Sequence, residues 1–172
     1  MLKNIKFAKV GDVKNPNRAH KQDAGIDLFV PNDFAPITLK IGESVLIPSG
    51  IKMEVPDNYM VKIFNKSGVA SKKGLIVGAE VVDAGYAGII HINLHKVSGD
   101  PVTINPGDKI AQAIIIPIET PDLVEVQENE LYDGKLATDD EFLARAKELG
   151  ISIKITDDAN KLKKVGNTIR GD

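Results

Sequence analysis

Short runs of alternating apolar and polar residues fill the first 118 positions of the chain. Residues 37–41, Ile-Thr-Leu-Lys-Ile, show the pattern plainly, and Gly42 directly after them is a turn signal. Alternation is typical of strands with one buried face, and evenly spaced turns are typical of sandwiches and jelly rolls. We therefore predict an all-β body. Its strands are expected over residues 5–7, 37–41, 44–55 (interrupted), 59–64, 89–97 and 109–118.

The last of these strands carries three consecutive isoleucines, Ile114, Ile115 and Ile116. Successive side chains of a strand point to opposite faces, so an unbroken apolar run leaves no polar face. We expect this strand to be either buried on both sides or placed at a subunit interface.

After the last strand the chain becomes acidic, with ten acidic and three basic residues between positions 119 and 148. Thr138 and Glu141 form a capping box and Gly150 is a stop signal, so the sequence predicts a short amphipathic helix over residues 139–149. Alternating isoleucines then predict one more strand. The acidic residues are expected to form a solvated surface.

Composition and charge exclude several classes of function. The net charge of −2 over 172 residues gives no electrostatic basis for general binding to nucleic acids or membranes. There is no cysteine, so disulfides and thiolate metal sites are excluded. His20, His91 and His95 lack the arrangement of a zinc site. No signal-peptide pattern begins the chain, so we expect a soluble, cytoplasmic protein.

Two segments combine charged or hydroxyl groups with glycine. Asp27 lies between apolar neighbours just after Gly25, so its carboxylate is expected to be either buried with partners or directed into a site. Ser67 and Gly68 follow a predicted strand and can open a single helical turn whose free amides point at an anion, with Lys66 adding a charge. A surface turn with an ordinary cap would explain the same residues.

Two further segments add a candidate base and more donors. Residues 78–88 are predicted to form a strand, a turn and a strand, a hairpin that presents Asp83 and Tyr86. Asp83 has no cationic neighbour in sequence, which suits a general base, although a turn aspartate bonded to its own backbone is the alternative. Lys109 and Gln112 could donate to phosphate oxygens, or Gln112 could simply occupy an exposed strand face.

In order and spacing these four segments resemble the homotrimeric all-β deoxyuridine triphosphatases (dUTPases). The resemblance covers residues 18–118 and resumes at 167–171, with motifs at 23–28, 66–74, 78–88 and 107–112. It implies a distorted jelly roll of the β-clip type with a short inserted helix near the C-terminus. The implied domains are a β domain over 1–120, an inserted acidic helix-strand appendage over 121–165, and the start of a C-terminal active-site arm over 166–172.

The resemblance also implies a reaction, in which water attacks the α-phosphorus of dUTP and releases dUMP and pyrophosphate. This would limit uracil in DNA and supply dUMP for dTMP synthesis. Asp83 would orient and deprotonate the water, and Tyr86 would pack under the deoxyribose. Main-chain groups around Val81, Val82 and His91 would hydrogen-bond uracil.

The phosphates and the metal are assigned by the same resemblance. Mg²⁺ would be chelated by the triphosphate, and Asp27 would contact it through water, which suits an ion that sheds its water reluctantly. The active sites would lie between the subunits of a homotrimer. The phosphates would be held by Lys66, Ser67, Gly68, Lys109, Gln112 and Arg170.

Departures from the family pattern affect these expectations. Lys66 and Lys109 stand where arginine is usual, which keeps the charge but loses bidentate geometry. Glu80 stands where glycine is usual, and we expect its side chain to point outward. The glycine-rich remainder of the fifth motif does not follow Arg170, so we expect weaker binding and slow turnover.

Two rival functions are alternatives to dUTP hydrolysis. The dCTP deaminases share this fold, but the position expected to carry their catalytic glutamate is Asn93, which cannot act as a base. The other alternative is a catalytically weak or inactive dUTPase-like protein that binds nucleotide or regulates a protein partner.

Overall fold

A computed structural model describes residues 2–127, 130–131 and 139–151 of the chain. These residues form eleven strands and two helices, and neither helix is long and apolar enough to cross a membrane. The predicted all-β body with a short helix near the C-terminus is confirmed. In chain order the elements are β1 (Lys6–Lys9), β2 (Ile26–Phe29), β3 (Ile37–Leu39), β4 (Ser44–Pro48), β5 (Ile51–Glu54), β6 (Tyr59–Asn65), α1 (Ser67–Lys73), β7 (Leu75–Val77), β8 (Val81–Val82), β9 (His91–Lys96), β10 (Val102–Ile104), β11 (Lys109–Pro117) and α2 (Asp139–Glu148).

The strands pair into several small antiparallel sheets. The largest has the order β2-β11-β6-β8, and a second has the order β4-β9-β7. Two further pairs, β1 with β5 and β3 with β10, complete the described ladders. Strands that are distant in sequence therefore lie side by side, as in a jelly roll.

Alternating side chains of these strands fill one apolar core. Leu28, Val61, Ile63, Ile92 and Leu94 are each at most 1% exposed. The isoleucine run of β11 is only half-buried within one chain. Burial on both sides is therefore wrong for the single chain, and the subunit-interface alternative stays a prediction.

A buried lysine determines where α1 ends. Lys96 lies on the core face of β9 with 2% exposure, and its Nζ donates to the carbonyl of Lys73 at 2.8 Å and to that of Ser98. Gly74 then adopts a left-handed conformation with φ of 60°, where a side chain would collide with the Ser98 carbonyl. The helix has seven residues, about two turns, so the predicted single turn was too short.

The predicted hairpin around Asp83 is wrong in its pairing. β8 pairs with β6, placing Val82 opposite Val61, whereas β9 pairs with β4 and β7. The turn itself is present: the Tyr86 amide donates to the Asp83 carbonyl at 3.2 Å. The two residues of β8 pair with β6, and this pairing places Val82 in the core.

The contacts divide the chain into two compact units, residues 1–121 and 122–172. In the second unit α2 begins at Asp139 and ends at Glu148, and Gly150 follows with φ of 68°, as expected for the predicted stop signal. Ala146 of this helix is buried. The predicted Thr138 cap, the strand after α2 and Arg170 lie outside the described residues.

Candidate active site

A cavity of about 190 Å³ lies beside the turn that follows β8. It is smaller than the roughly 300–1,000 Å³ of clefts that hold drug-sized ligands, so it suits part of a nucleotide such as a base and its sugar. Its walls include all five residues that were expected to contact base, sugar and attacking water. The lining residues are Ile63, Ala79, Glu80, Val81, Val82, Asp83, Tyr86, Ile90 and His91.

One carbonyl organises the wall of this cavity. The Tyr86 hydroxyl donates to the Ile89 carbonyl at 2.9 Å, and Nδ1 of His91 lies 2.8 Å from the same oxygen. Gly85 gives the turn its left-handed residue, with φ of 82°. Tyr86 is anchored through its hydroxyl, and 45% of the residue remains exposed.

The carboxylate of Asp83 is accessible to water. Its side chain is exposed, and no side-chain donor or cation in the described part of the chain contacts it. A turn aspartate bonded to its own backbone through the carboxylate is therefore not what the structure shows. An unpartnered carboxylate at the edge of a cavity can orient and activate water.

The neighbouring carboxylate, Glu80, is neutralised by an ion pair. Its Oε2 lies 3.0 Å from Nζ of Lys62, and both side chains are about one-third exposed. Lys62 follows Val61 on β6 and is opposite Val81 in the ladder. Glu80 lines the cavity, and the expectation that its side chain points outward stays a prediction.

A second cluster lies where β2, β6 and β11 meet. Asp27 is 2% exposed, its Oδ1 accepts a hydrogen bond from Nζ of Lys66, and its Oδ2 lies 2.6 Å from Nζ of Lys109. The Lys109 contact is an ion pair and not a well-aligned hydrogen bond. Gln112 is opposite Asp27 in the β2–β11 ladder, and its Nε2 donates to the Asn65 carbonyl at 2.8 Å.

Gly25 makes room for this arrangement, since a side chain there would overlap the carboxamide of Gln112. Ser67 and Gly68 begin α1 directly after Lys66, so they lie next to the same cluster. The predicted phosphate-binding residues are therefore together, apart from Arg170, which lies outside the described residues. We call this cluster of Asp27, Lys66, Lys109 and Gln112 the cationic corner.

The charges in the cationic corner shift the pKa of Asp27. Burial alone would raise it, but the contacts and positive charges of Lys109 and Lys66 outweigh burial, so the pKa of Asp27 lies below its ordinary value. Asp27 is therefore ionised at neutral pH and remains paired with both ammonium groups.

The predicted contact between Asp27 and a magnesium ion does not fit this geometry. Both carboxylate oxygens are engaged by ammonium groups, and the side chain is 3% exposed.

The cavity and the cationic corner lie at different places in one chain. Val82, which precedes Asp83, is opposite Val61, whereas the corner is reached at Asn65, four residues further along β6. At about 3.3 Å per strand residue, Val61 and Asn65 are about 13 Å apart along β6. The predicted catalytic and phosphate-binding residues thus lie at separate positions along this strand.

Sequence reasoning missed Asn65 and the Lys62–Glu80 pair. Asn65 accepts from the Val77 amide through its Oδ1 at 2.6 Å and from Gln112 through its carbonyl. The available signal was an asparagine directly between a strand and the Lys66–Gly68 turn, a position where its side chain commonly bonds nearby backbone.

The all-β fold carries a base-sized cavity with an unpartnered carboxylate, and it carries the cationic corner at a separate place. These features suit a protein that binds and hydrolyses a nucleotide. Comparison with known families agrees: the dUTPase family model matches residues 12–136, which is more than half of the chain. The chain belongs to the dUTPase family.

Individual relatives support this membership. The deoxyuridine 5′-triphosphate nucleotidohydrolase of Mycolicibacterium gilvum is 41% identical over 118 residues, which is 67% of this chain and 75% of the relative. A mutant dUTPase from Staphylococcus aureus phage phi11, described as coordinating a structural Mg(II) ion, is 28% identical with a TM-score of 0.66, covering 74% of this chain and 99% of that one.

A dUTPase mutant from Staphylococcus bacteriophage 80alpha, solved with dUpNHpp, is 25% identical with a TM-score of 0.69 and covers 80% of this chain and 97% of that one. A second family model, the N-terminal domain of Connectase MJ0548-like proteins, matches residues 109–172 and so overlaps the dUTPase match. It covers about a third of the chain and adds a similarity to the region around α2.

Stability should depend on pH through Asp27. Because its pKa is lowered by folding, the folded protein binds this proton more weakly than the unfolded chain, and the ionised group stabilises the fold above the unfolded pKa of about 4. The contribution should disappear as pH falls through the lower folded value. The difference in unfolding free energy between wild type and Asp27→Asn, measured in urea, should therefore be full at pH 7 and narrow progressively as pH falls below about 4. The exposed Asp33→Asn should show no such gap; a gap that persisted for Asp27→Asn in acid would contradict the assignment.

Proposed function

We propose that this chain hydrolyses dUTP to dUMP and pyrophosphate by attack of water at the α-phosphorus, and so acts as a dUTP diphosphatase. The observation that carries this conclusion is the family match over residues 12–136, which contains every candidate site residue except Arg170. The reaction would keep uracil out of DNA and supply dUMP for dTMP synthesis.

Uracil and deoxyribose occupy the cavity in this proposal. Main-chain groups of Val81, Val82 and Asp83 on one side and of His91 on the other hydrogen-bond the base, while Tyr86 packs under the sugar. The support is that all of these residues line one cavity of about 190 Å³. Main-chain recognition depends on the shape of the loop, so it rejects the thymine methyl by lack of space.

Asp83 orients the attacking water and accepts its proton. A carboxylate is a weak base at neutral pH, so much of its contribution is positional. The support is its exposed, unpartnered carboxylate at the edge of the cavity.

The phosphates contact the cationic corner, where Lys66, Lys109 and Gln112 supply donors and Ser67 and Gly68 lie alongside. Arg170 adds a further cation in this proposal. Magnesium enters as part of the substrate, chelated by the triphosphate, and it screens the charge of the phosphates as they approach.

The complete active site lies between subunits of a homotrimer. Within one chain, Val61, which is opposite Val82 in the ladder, is about 13 Å along β6 from Asn65, where the cationic corner is reached. The resemblance to the family implies active sites between subunits. A symmetric assembly can bring the cavity of one subunit to the corner of the next. The half-buried isoleucines of β11 are a candidate part of that interface. The cytoplasmic location stays a prediction.

Pyrophosphate release should be specific for dUTP. With magnesium present, we expect release from dUTP and at least about 100-fold lower kcat/KM with dTTP, dCTP and UTP, because a shaped polar site rejects analogues strongly. A coupled pyrophosphate assay measures all four. Tight dUTP binding without release from any nucleotide would instead favour a regulatory, nucleotide-binding protein.

Removing the proposed base should separate binding from chemistry. Asp83→Asn should lower kcat by at least about 100-fold, the usual contribution of a general base, while dUTP affinity by calorimetry stays within a few-fold of wild type. Asp100→Asn, an exposed turn carboxylate, is the matched control and should be unchanged. Undiminished turnover by Asp83→Asn would remove Asp83 from the mechanism.

Mixed subunits should complement each other if the site is shared. Asp83→Asn lacks the base, and Gln112→Glu places a negative charge among the phosphate donors, so each variant alone should be nearly inactive. After mixed refolding in equal amounts, up to about a quarter of wild-type activity should return, because that fraction of sites joins an intact Asp83 to an intact Gln112 of another subunit. No recovery in a mixture shown to have exchanged subunits would place the site within one chain.

A further inference from the structure

The carboxylate of Asp27 is committed to two lysines. Its side chain is 3% exposed; Oδ1 accepts from Nζ of Lys66, and Oδ2 lies 2.6 Å from Nζ of Lys109. The backbone around it is equally fixed, since its amide donates to the Asn17 carbonyl at 2.7 Å and the residue sits opposite Gln112 in the ladder. Both carboxylate oxygens thus have ammonium partners, and little of the side chain is exposed for contact with a hydrated metal ion.

The two lysine side chains are the more exposed part of this cluster. The Lys66 side chain is 24% exposed and that of Lys109 is 39% exposed, although both contact a buried carboxylate. An ammonium has three donors, so each lysine keeps donors that can point outward. One carboxylate against two ammonium groups leaves the cluster with one net positive charge.

Lysine needs such an external restraint more than arginine does. Its ammonium is a point charge on a flexible four-carbon stem, whereas a guanidinium brings a planar fork with fixed donor directions. Lys66 directly follows β6 and Lys109 begins β11, so Asp27 joins lysines from two separate segments at one place.

We propose that Asp27 is a positioning residue that holds the ammonium groups of Lys66 and Lys109 toward the phosphates of the substrate, and that it does not act on the magnesium ion. The proposal rests on the proposed function, because it takes the phosphates to bind at the cationic corner. It assigns to the carboxylate of Asp27 a role that needs no metal.

The change in metal-free triphosphate affinity when the Asp27 carboxylate is removed distinguishes this role from the alternatives, because each alternative predicts a different direction. If Asp27 acted only as a negative charge, its removal would strengthen binding of an anion. If it acted through magnesium, removal would leave metal-free binding unchanged. If it positions the lysines, removal weakens metal-free binding, because the ammonium groups lose their fixed direction.

The experiment is calorimetric titration with dUpNHpp in the presence of EDTA, using wild type, Asp27→Asn and Asp33→Asn as full-length chains. We expect Asp27→Asn to bind about 10-fold more weakly than wild type, the loss of two oriented charge-assisted contacts. Asp33→Asn removes the same charge from an exposed turn and should bind within twofold of wild type. In pyrophosphate assays, the magnesium concentration for half-maximal rate should be the same for Asp27→Asn and wild type.

Equal or tighter metal-free binding by Asp27→Asn, or a higher magnesium requirement of this variant, would overturn the proposal. If wild type still hydrolysed dUTP, the proposed function would stand. Failure of wild type to bind or hydrolyse dUTP would overturn both.

A measurement on wild type alone covers the case in which Asp27→Asn does not fold. Lysines carrying ¹³C-methyl groups from reductive methylation can be followed by NMR, with Lys66→Arg and Lys109→Arg to assign the two signals. Magnesium alone should leave both signals unmoved, and inorganic tripolyphosphate in EDTA should shift both. A shift of either signal with magnesium alone would show that Asp27 exchanges its lysines for the metal, and would refute the proposal.

Discussion

The antiparallel pairing of β6 with β11 is the constraint on which the rest of the structure depends. Seven consecutive register pairs run from Asn65–Ala111 to Tyr59–Pro117, and they bury Val61 and Ile63 in the core. β8 joins this ladder at the middle of β6, opposite Val61 and Lys62, and β2 joins it on β11 toward the Asn65 end. The positions of the cavity and of the cationic corner are thus set by the register of one sheet.

Much of the fold was predictable because its signals are local. The twofold alternation of side chains identifies β3, β4, β6, β9 and β11 within a few residues, and a capping pattern with a terminal glycine identifies α2. Both signals report how neighbouring residues must be arranged, so they need no knowledge of the partners. The sequence left Asp83 open between a general base and a turn residue, because its exposure depends on the surrounding structure.

Pairing partners were less accessible, because they are decided between segments distant in sequence. Val81 and Val82 favour an extended backbone, but nothing local says that they pair with β6 rather than with the strand that follows them. Asp27 shows the same limit: its isolation among apolar neighbours predicted either burial with partners or a functional role. One partner is 39 positions away and the other is further still, so the outcome, burial between two lysines, was not visible in the spacing.

The shared acceptor at Ile89 has a consequence for how selectivity can change. The phenol of Tyr86 and the imidazole of His91 are held by the same carbonyl oxygen, at 2.9 and 2.8 Å. Under the proposed roles, one of these residues lies against the sugar and the other beside the base. A shift of the Ile89 peptide would move both walls together, so base and sugar discrimination cannot be tuned independently by small changes in this loop. A substitution that alters one of these properties by moving the Ile89 peptide would therefore alter the other as well.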